Sequence, residues 1–183
     1  MPLLPRRAKK NQARQRLLHL ILFSIFAALL FASKQLLEFL PNVELVSTLT
    51  MVYTLVYRKW ALVPIYLYAF LQGIFWGFPL WWVPYLYVWT VLWGVTMLLP
   101  KNLPPKWGVP VYAGVCALFG VVYGTLWAPF HVLAYANGDW NKMLPWIVSG
   151  LPWDGIHALG NLALGTLIVP LTTLLRSLEA KTR

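Results

Sequence analysis

Apolar residues recur along this chain in six runs, and segments that contain charged residues, proline or glycine separate each run from the next, the longest of them between the fifth and sixth runs. The runs cover residues 17–33, 45–57, 60–76, 83–99, 111–126 and 150–176. An apolar helix needs about 20 residues to cross a bilayer, so the run 45–57 is short for a straight crossing. The pattern predicts an all-α membrane protein, a compact bundle of six transmembrane helices.

Polar segments flank the predicted transmembrane domain of residues 17–176. A basic segment, residues 1–16, precedes it, and a short polar tail, residues 177–183, follows it. The charged start resembles that of a signal peptide, but no small-residue cleavage site follows the first apolar run, so we interpret this run as a retained first helix. The single cysteine, Cys116, lies in an apolar run and indicates neither a disulfide nor a metal site.

Composition agrees with the membrane class, because 60% of the 183 residues are hydrophobic and only 11% are charged. The net charge of +10 raises the question of nucleic-acid binding. Thirteen of the fifteen basic residues, however, lie in the N-terminal segment, in alternate connections or in the tail, and four of the five acids lie in the other connections or near their ends. This positive-inside pattern predicts that both termini are cytoplasmic, and anionic lipid heads account for the basic charge without nucleic acid.

The last apolar run contains the polar residues that most need an explanation. In GLPWDGIHALGNLALGTL, Asp154, His157 and Asn161 share one face of a helix, while Gly160 and Gly165, with Ala158 and Ala163, leave other faces narrow enough for close helix contact. Polar groups inside an apolar span are costly and usually face a cavity or a binding site. The alternative interpretation is structural, with Asp154 as a helix cap and the other two residues as interhelical hydrogen bonds.

Aromatic residues are dense around the turn GIFWGFPLWWVP and in the fourth run, and His131 lies in the connection after the fifth run. Tyrosine and tryptophan suit a pocket for a ring-containing ligand, although an aromatic belt at the membrane interface is the alternative for the tryptophans of the turn. We therefore predict one outward-facing pocket, with these substrate-binding residues: Trp81, Trp82, Tyr85, Trp89, His131, Asp154, His157 and Asn161.

An enzyme is the weaker interpretation. Asp154, His157 and His131 are chemically able to form an acid–base pair or a zinc site. The sequence has no H-E-x-x-H motif, no paired glutamates, no G-x-S-x-G motif and no phosphate-binding glycine loop. We expect no catalytic residue, no metal and no cofactor, and a binding or transport role instead.

Several segments together resemble a known family. The six-run layout, Ala28 and Ala32 four apart in the first run, PNVELVSTL at residues 41–49 and GLPWDGIHALGN at residues 150–161 are similar to the substrate-binding S components of energy-coupling factor transporters. These are the vitamin-uptake members of the ATP-binding cassette transporters. The resemblance extends over nearly the whole chain after residue 17.

The resemblance implies a multi-pass protein of the bacterial cell membrane that binds a vitamin near the outer face. It also implies docking on a transmembrane coupling subunit that carries two ATPase subunits, followed by toppling within the membrane. In that family the alanine motif of the first helix faces the coupling subunit, which assigns the partner interface to Ala28 and Ala32. ATP hydrolysis then belongs to the separate ATPases.

The choice of vitamin stays open at this stage. The resemblance is closest to the members assigned to cobalamin. Queuosine precursors, pantothenate and pyridoxine-type vitamins are the alternatives, and Asp154 keeps a cationic ligand such as thiamine possible. A purely structural membrane protein is the remaining alternative, and it predicts that Asp154, His157 and Asn161 bond only to neighbouring helices.

Overall fold

The computed structural model describes residues 6–182. Within this range the chain is helical, without a β-strand, and forms seven α-helices. They are α1 (Arg6–Leu36), α2 (Val46–Tyr57), α3 (Leu62–Trp76), α4 (Tyr85–Leu98), α5 (Pro105–Tyr135), α6 (Met143–Gly165) and α7 (Ile168–Thr182). Residues 6–16 of the predicted basic segment belong to α1 and residues 177–182 of the predicted tail belong to α7, whereas residues 1–5 and 183 lie outside the described range.

Among the described residues, two helical segments are long and apolar enough to cross a membrane: Leu17–Leu36 and Pro105–Tyr135. The last two helices, with a 47° bend between them, form a third if they are one broken span. The all-helical class is thus confirmed, with two or three segments of membrane-spanning length. Helices α2, α3 and α4 have 12, 15 and 14 residues, so the count of six crossings stays a prediction.

Several boundaries differ from the sequence prediction. Helix α1 extends beyond the predicted run at both ends, and α5 begins at Pro105, in the segment predicted as a connection. Residues 127–135, expected in a connection, continue α5 past Pro129, because one proline removes only one backbone donor and the following residues keep the helix packed. The sixth run does not form one straight helix: α6 begins at Met143, and the chain turns at Thr166 and Leu167 before α7. After the first run, α1 continues to Leu36, and the connection that follows it is partly buried, with Glu44 only 3% exposed.

Helix α2 is the centre of the packing. Nine of its twelve residues are buried, and it contacts α1, α4, α5, α6 and α7. Phe26 of α1 stacks on Tyr53 of α2 with ring centroids 4.3 Å apart. A short helix that is enclosed in this way buries most of its apolar surface, and this burial stabilises the fold.

Helices α5 and α6 form an antiparallel pair in close contact. A Cβ atom on Gly120 of α5 would lie 2.7 Å from the backbone of Ala158 of α6, and one on Gly165 would lie 2.9 Å from Ala113. The two backbones therefore approach each other at both points without an intervening side chain. This confirms the close helix contact expected at Ala158 and Gly165, whereas Gly160 faces Val43 of the connection before α2.

The two ends of the helical assembly differ in chemistry. At one end, which we call the arginine end, Arg176 donates to the carbonyls of Leu55 and Lys101, and Arg58 donates to that of Met97. The loop residues around Glu44, the turn after α3 and the segment after α5 lie at the opposite end, which we call the glutamate end. Alternate connections thus meet at one end, as the charge pattern predicted, while the side of the membrane that each end faces stays a prediction.

Candidate functional site

Two cavities lie side by side at the glutamate end. The first, the His157 cavity, has a volume of about 290 Å³ and is lined by Lys34, Asn42, Glu44, Tyr85, Tyr123, Gly124, Trp127, Trp146 and His157. The second, the Gln72 cavity, has a volume of about 300 Å³ and is lined by Lys34, Gln35, Glu38, Gln72, Trp76, Trp81 and Tyr85. Lys34 and Tyr85 line both, so these two side chains form the wall between them.

A buried ion pair forms part of this wall. The Lys34 Nζ donates to Glu44 Oε2 at 2.5 Å, and the side chains are 31% and 3% exposed. Burial by itself raises the pKa of Glu44, but the Lys34 ammonium and the His157 imidazole bring that pKa down to about 2. Glu44 is therefore ionised at neutral pH, and because a carboxylate taken out of water is costly without partners, it depends on these neighbours.

His157 reaches the same carboxylate from α6. Its Nε2 lies 3.5 Å from Glu44 Oε1, which is longer than an ordinary hydrogen bond. Neither atom has a hydrogen-bond partner among the described residues, although both are buried. Buried polar atoms are nearly always paired, so each of these two atoms is open to an additional hydrogen-bond partner.

Aromatic side chains of α4 and α5 form the floor of the His157 cavity. Tyr123 packs edge-on against the His157 ring, with centroids 4.6 Å apart, and also contacts Trp89 and Trp127. Tyr85 contacts Trp127 across the cavity at 6.1 Å. A flat ring entering here would meet aromatic faces and edges on several sides.

Asp154 and Asn161 flank His157 on the buried face of α6, as their spacing predicted. Both bond to α5: the Gly124 N–H donates to Asp154 Oδ1 at 3.0 Å, and Asn161 Nδ2 donates to the Cys116 carbonyl at 3.0 Å. Neither lines a cavity. Of the three polar residues of this face, only His157 is thus placed beside the His157 cavity.

The four predicted aromatic residues divide between the cavities and the core. Tyr85 lines both cavities, and Trp81 lines the Gln72 cavity. Trp82 donates from Nε1 to the Ala69 carbonyl at 2.5 Å and thereby holds the turn after α3. Trp89 is completely buried beneath Tyr85 and Tyr123, so it supports the cavity floor without lining it.

His131 lies behind Trp146, a lining residue of the His157 cavity. Its ring stacks on Trp146 with centroids 4.6 Å apart, and Trp146 lines the His157 cavity. The contact joins the end of α5 to the start of α6. His131 therefore supports a lining residue and does not itself line either cavity.

Ala28 and Ala32 lie on the exposed face of α1, near Ile25 and Leu29, which are about half exposed. Ala27 and Leu30, on the other face, are buried. The alanine pair is therefore available for contact from outside, as a partner interface requires.

Sequence reasoning missed several lining residues. Tyr123 and Trp127 follow Phe119 at four-residue spacing along α5. This spacing places three aromatic side chains on one face of the helix, and it is visible in the sequence. Lys34 and Glu44 were recognised only as charges of a connection. Their ten-residue separation brings them together because the chain turns after α1, and no local pattern specifies that pairing.

Within residues 6–182, no group of three or more histidine, cysteine, aspartate or glutamate side chains is arranged to hold a metal ion. No protein-family model, no curated protein and no solved structure matches this chain.

Proposed function

We propose that this protein is a membrane-embedded binding protein for a small, vitamin-like molecule, and that it works as the substrate-binding S component of an energy-coupling factor transporter. The observation that carries the proposal is the pair of adjoining cavities at the glutamate end, lined by aromatic rings and by buried polar atoms without partners. Ligand sites combine apolar walls with a few oriented polar groups in this manner.

The arrangement suits binding better than catalysis. The residues with polar side chains in the lining of the His157 cavity include one lysine, one glutamate, one histidine, one asparagine and two tyrosines, and Lys34 already pairs with Glu44. A positioned nucleophile with its own base is not among them. A role in capture and release accounts for this lining with no further component.

The size of the cavities bears on the ligand. At about 290 and 300 Å³ they lie at the lower end of the range for small-molecule sites. A single heterocycle with polar substituents fits one of them. Cobalamin, the vitamin suggested by the resemblance, would fill both and project from them, so pyridoxine-type vitamins and queuosine precursors fit this geometry more readily.

In the proposed cycle the glutamate end faces outward and binds the ligand. The exposed Ala28 and Ala32 face then docks on the coupling subunit, and two separate ATPase subunits supply the energy. Placing the arginine end in the cytoplasm follows from the positive-inside pattern.

A structural role is favoured for two of the three residues on the α6 face, since Asp154 and Asn161 bond only to α5 among the described residues. It does not account for His157 and Glu44. Asp154 Oδ2 and Asn161 Oδ1 are also without a hydrogen bond among the described residues, but of these four residues only His157 and Glu44 line the His157 cavity. The two roles therefore coexist on one helix face.

The proposal is tested by purifying the protein gently in detergent and identifying any bound small molecule by mass spectrometry, followed by calorimetric titration with that compound. A stoichiometric vitamin-like ligand supports the proposal. If the preparation is empty, and no compound from a panel of B-group vitamins and 7-deazapurine bases binds, the proposal is rejected.

A further inference from the structure

We infer that the His157 cavity selects a neutral or cationic heterocycle that donates an N–H to Glu44 Oε1, and that it disfavours carboxylate ligands. This inference rests on the proposed function and specifies its substrate class. It assigns to Glu44 the recognition of the ligand, and to Lys34 the holding of the second carboxylate oxygen.

The two oxygens of the Glu44 carboxylate differ in their partners. Lys34 donates to Oε2 at 2.5 Å, while Oε1 lies 3.5 Å from His157 Nε2 and has no hydrogen bond among the described residues. Glu44 is 3% exposed, so bulk water does not readily replace the missing donor. An ionised carboxylate accepts strong, short hydrogen bonds, which makes Oε1 the strongest open acceptor among the lining groups.

The histidine defines where the ligand atom must sit. His157 Nε2 is 3.5 Å from Oε1, and it also lacks a hydrogen bond. A ligand N–H directed at Oε1 would lie beside Nε2, where a second ligand polar group can bond to the imidazole. The adjoining rings of Tyr123, Trp127 and Trp146 then cover the faces of a planar ligand.

Charge argues against an anion. The described lining of the two cavities includes two glutamates, one lysine and one histidine: Glu38, Glu44, Lys34 and His157. The lysine and the histidine both contact Glu44, at 2.5 and 3.5 Å. A ligand carboxylate would have to break that pair or lie near an ionised carboxylate, and like charges brought together in a poorly hydrated site repel each other.

The test uses matched probes that differ in charge: nicotinamide against nicotinate, and pyridoxamine against pyridoxic acid, with thiamine, pantothenate and cobalamin added. Binding to the detergent-purified full chain is measured by calorimetry for the wild type, Glu44→Gln and a control, Asp139→Asn. Asp139 lies in the turn before α6 and lines neither cavity. Thermal unfolding of each variant establishes that it is folded.

We expect the neutral or cationic member of a pair to bind at least tenfold more tightly than the anionic member. Glu44→Gln should weaken that binding by about 10- to 150-fold, and Asp139→Asn should leave it unchanged. If Glu44→Gln does not fold, His157→Gln tests the residue beside Glu44 Oε1 and should weaken binding by about 3- to 10-fold.

Tighter binding of the anionic members, or an unaltered affinity in folded Glu44→Gln, would overturn the inference and leave the proposed binding function standing. If no probe binds the wild type at millimolar concentration, the inference fails, whereas the proposed function fails only if the purified protein also carries no ligand and no 7-deazapurine base binds. The two failures are therefore distinguishable.

Discussion

The contact between α5 and α6 provides the sharpest test of the packing that positions His157. Replacing Gly120 by alanine would place a Cβ 2.7 Å from both the backbone nitrogen and the Cα of Ala158. Backbone atoms cannot turn aside as a flexible side chain does, so the two helices would have to separate. Overpacking of this kind costs about 1–3 kcal/mol.

The same helix supplies the matched control. A Cβ on Gly114 would meet no atom within 4 Å, although Gly114 lies only six residues away. Because alanine is favoured over glycine in a helix interior by about 1 kcal/mol, Gly114→Ala should stabilise the protein slightly. The same gain offsets part of the clash in Gly120→Ala, so the two variants should differ by about 1–3 kcal/mol.

Thermal unfolding in detergent, followed by intrinsic tryptophan fluorescence, measures the difference. For a chain of this size 1 kcal/mol corresponds to about 2–4 °C, so Gly120→Ala should unfold about 2–12 °C below Gly114→Ala. Ligand affinity should fall in Gly120→Ala only, since the separation moves His157 away from Glu44. Equal unfolding temperatures for the two variants would refute the close contact of α5 with α6.

Three other changes test separate parts of the structure. Asp154→Asn should lower the unfolding temperature with little change in ligand affinity, whereas His157→Ala should weaken binding by about 3- to 10-fold. Calorimetry and thermal unfolding on the same preparations measure both effects. Weaker binding in Asp154→Asn with unchanged binding in His157→Ala would contradict the assignment of His157, and not Asp154, to the cavity. Ala28→Trp should abolish uptake in vesicles containing the coupling module while the isolated protein still binds ligand, and lost binding would place Ala28 in the internal packing. Since the pKa of Glu44 is lowered from 4.5 to about 2, its stabilising contribution is complete above pH 4.5 and disappears as the pH falls through 2. The stability difference between wild type and Glu44→Gln should therefore be constant above pH 5 and shrink below it, and a difference that grows on acidification would argue against a buried ionised Glu44.

The sequence predicted those features that repeat along a helix. The shared face of Asp154, His157 and Asn161 follows from spacings of three and four residues, and all three are buried. The glycines and alanines of α5 and α6 likewise indicated a close contact that the structure places at Gly120 and Ala158. Such patterns depend only on local spacing, so they can be recognised without knowledge of the tertiary structure.

Features that depend on how the helices meet could not be predicted. The pairing of Lys34 with Glu44 requires the turn after α1, which brings both residues beside α4 and α6. The helical course of residues 127–135 was missed because tryptophan, histidine and proline are typical of interfacial connections, whereas here they continue α5. Whether Trp82 binds a ligand or holds a turn depends on one bond, to the Ala69 carbonyl, that no spacing reveals.

On the buried face of α6, Asp154 and Asn161 hold the helix against α5, and His157 lies beside the cavity. Asp154 lies one turn before His157 and Asn161 one turn after it, and both are bonded to α5 at 3.0 Å. These two bonds fix the rotation and the height of the helix relative to Tyr123, which contacts the His157 ring. Because the imidazole is held from both sides, its open nitrogen can face Glu44 without a direct hydrogen bond to anchor it. A ligand that bonds to this nitrogen then meets an imidazole that is already in place, so little of the binding free energy is lost in ordering the His157 side chain.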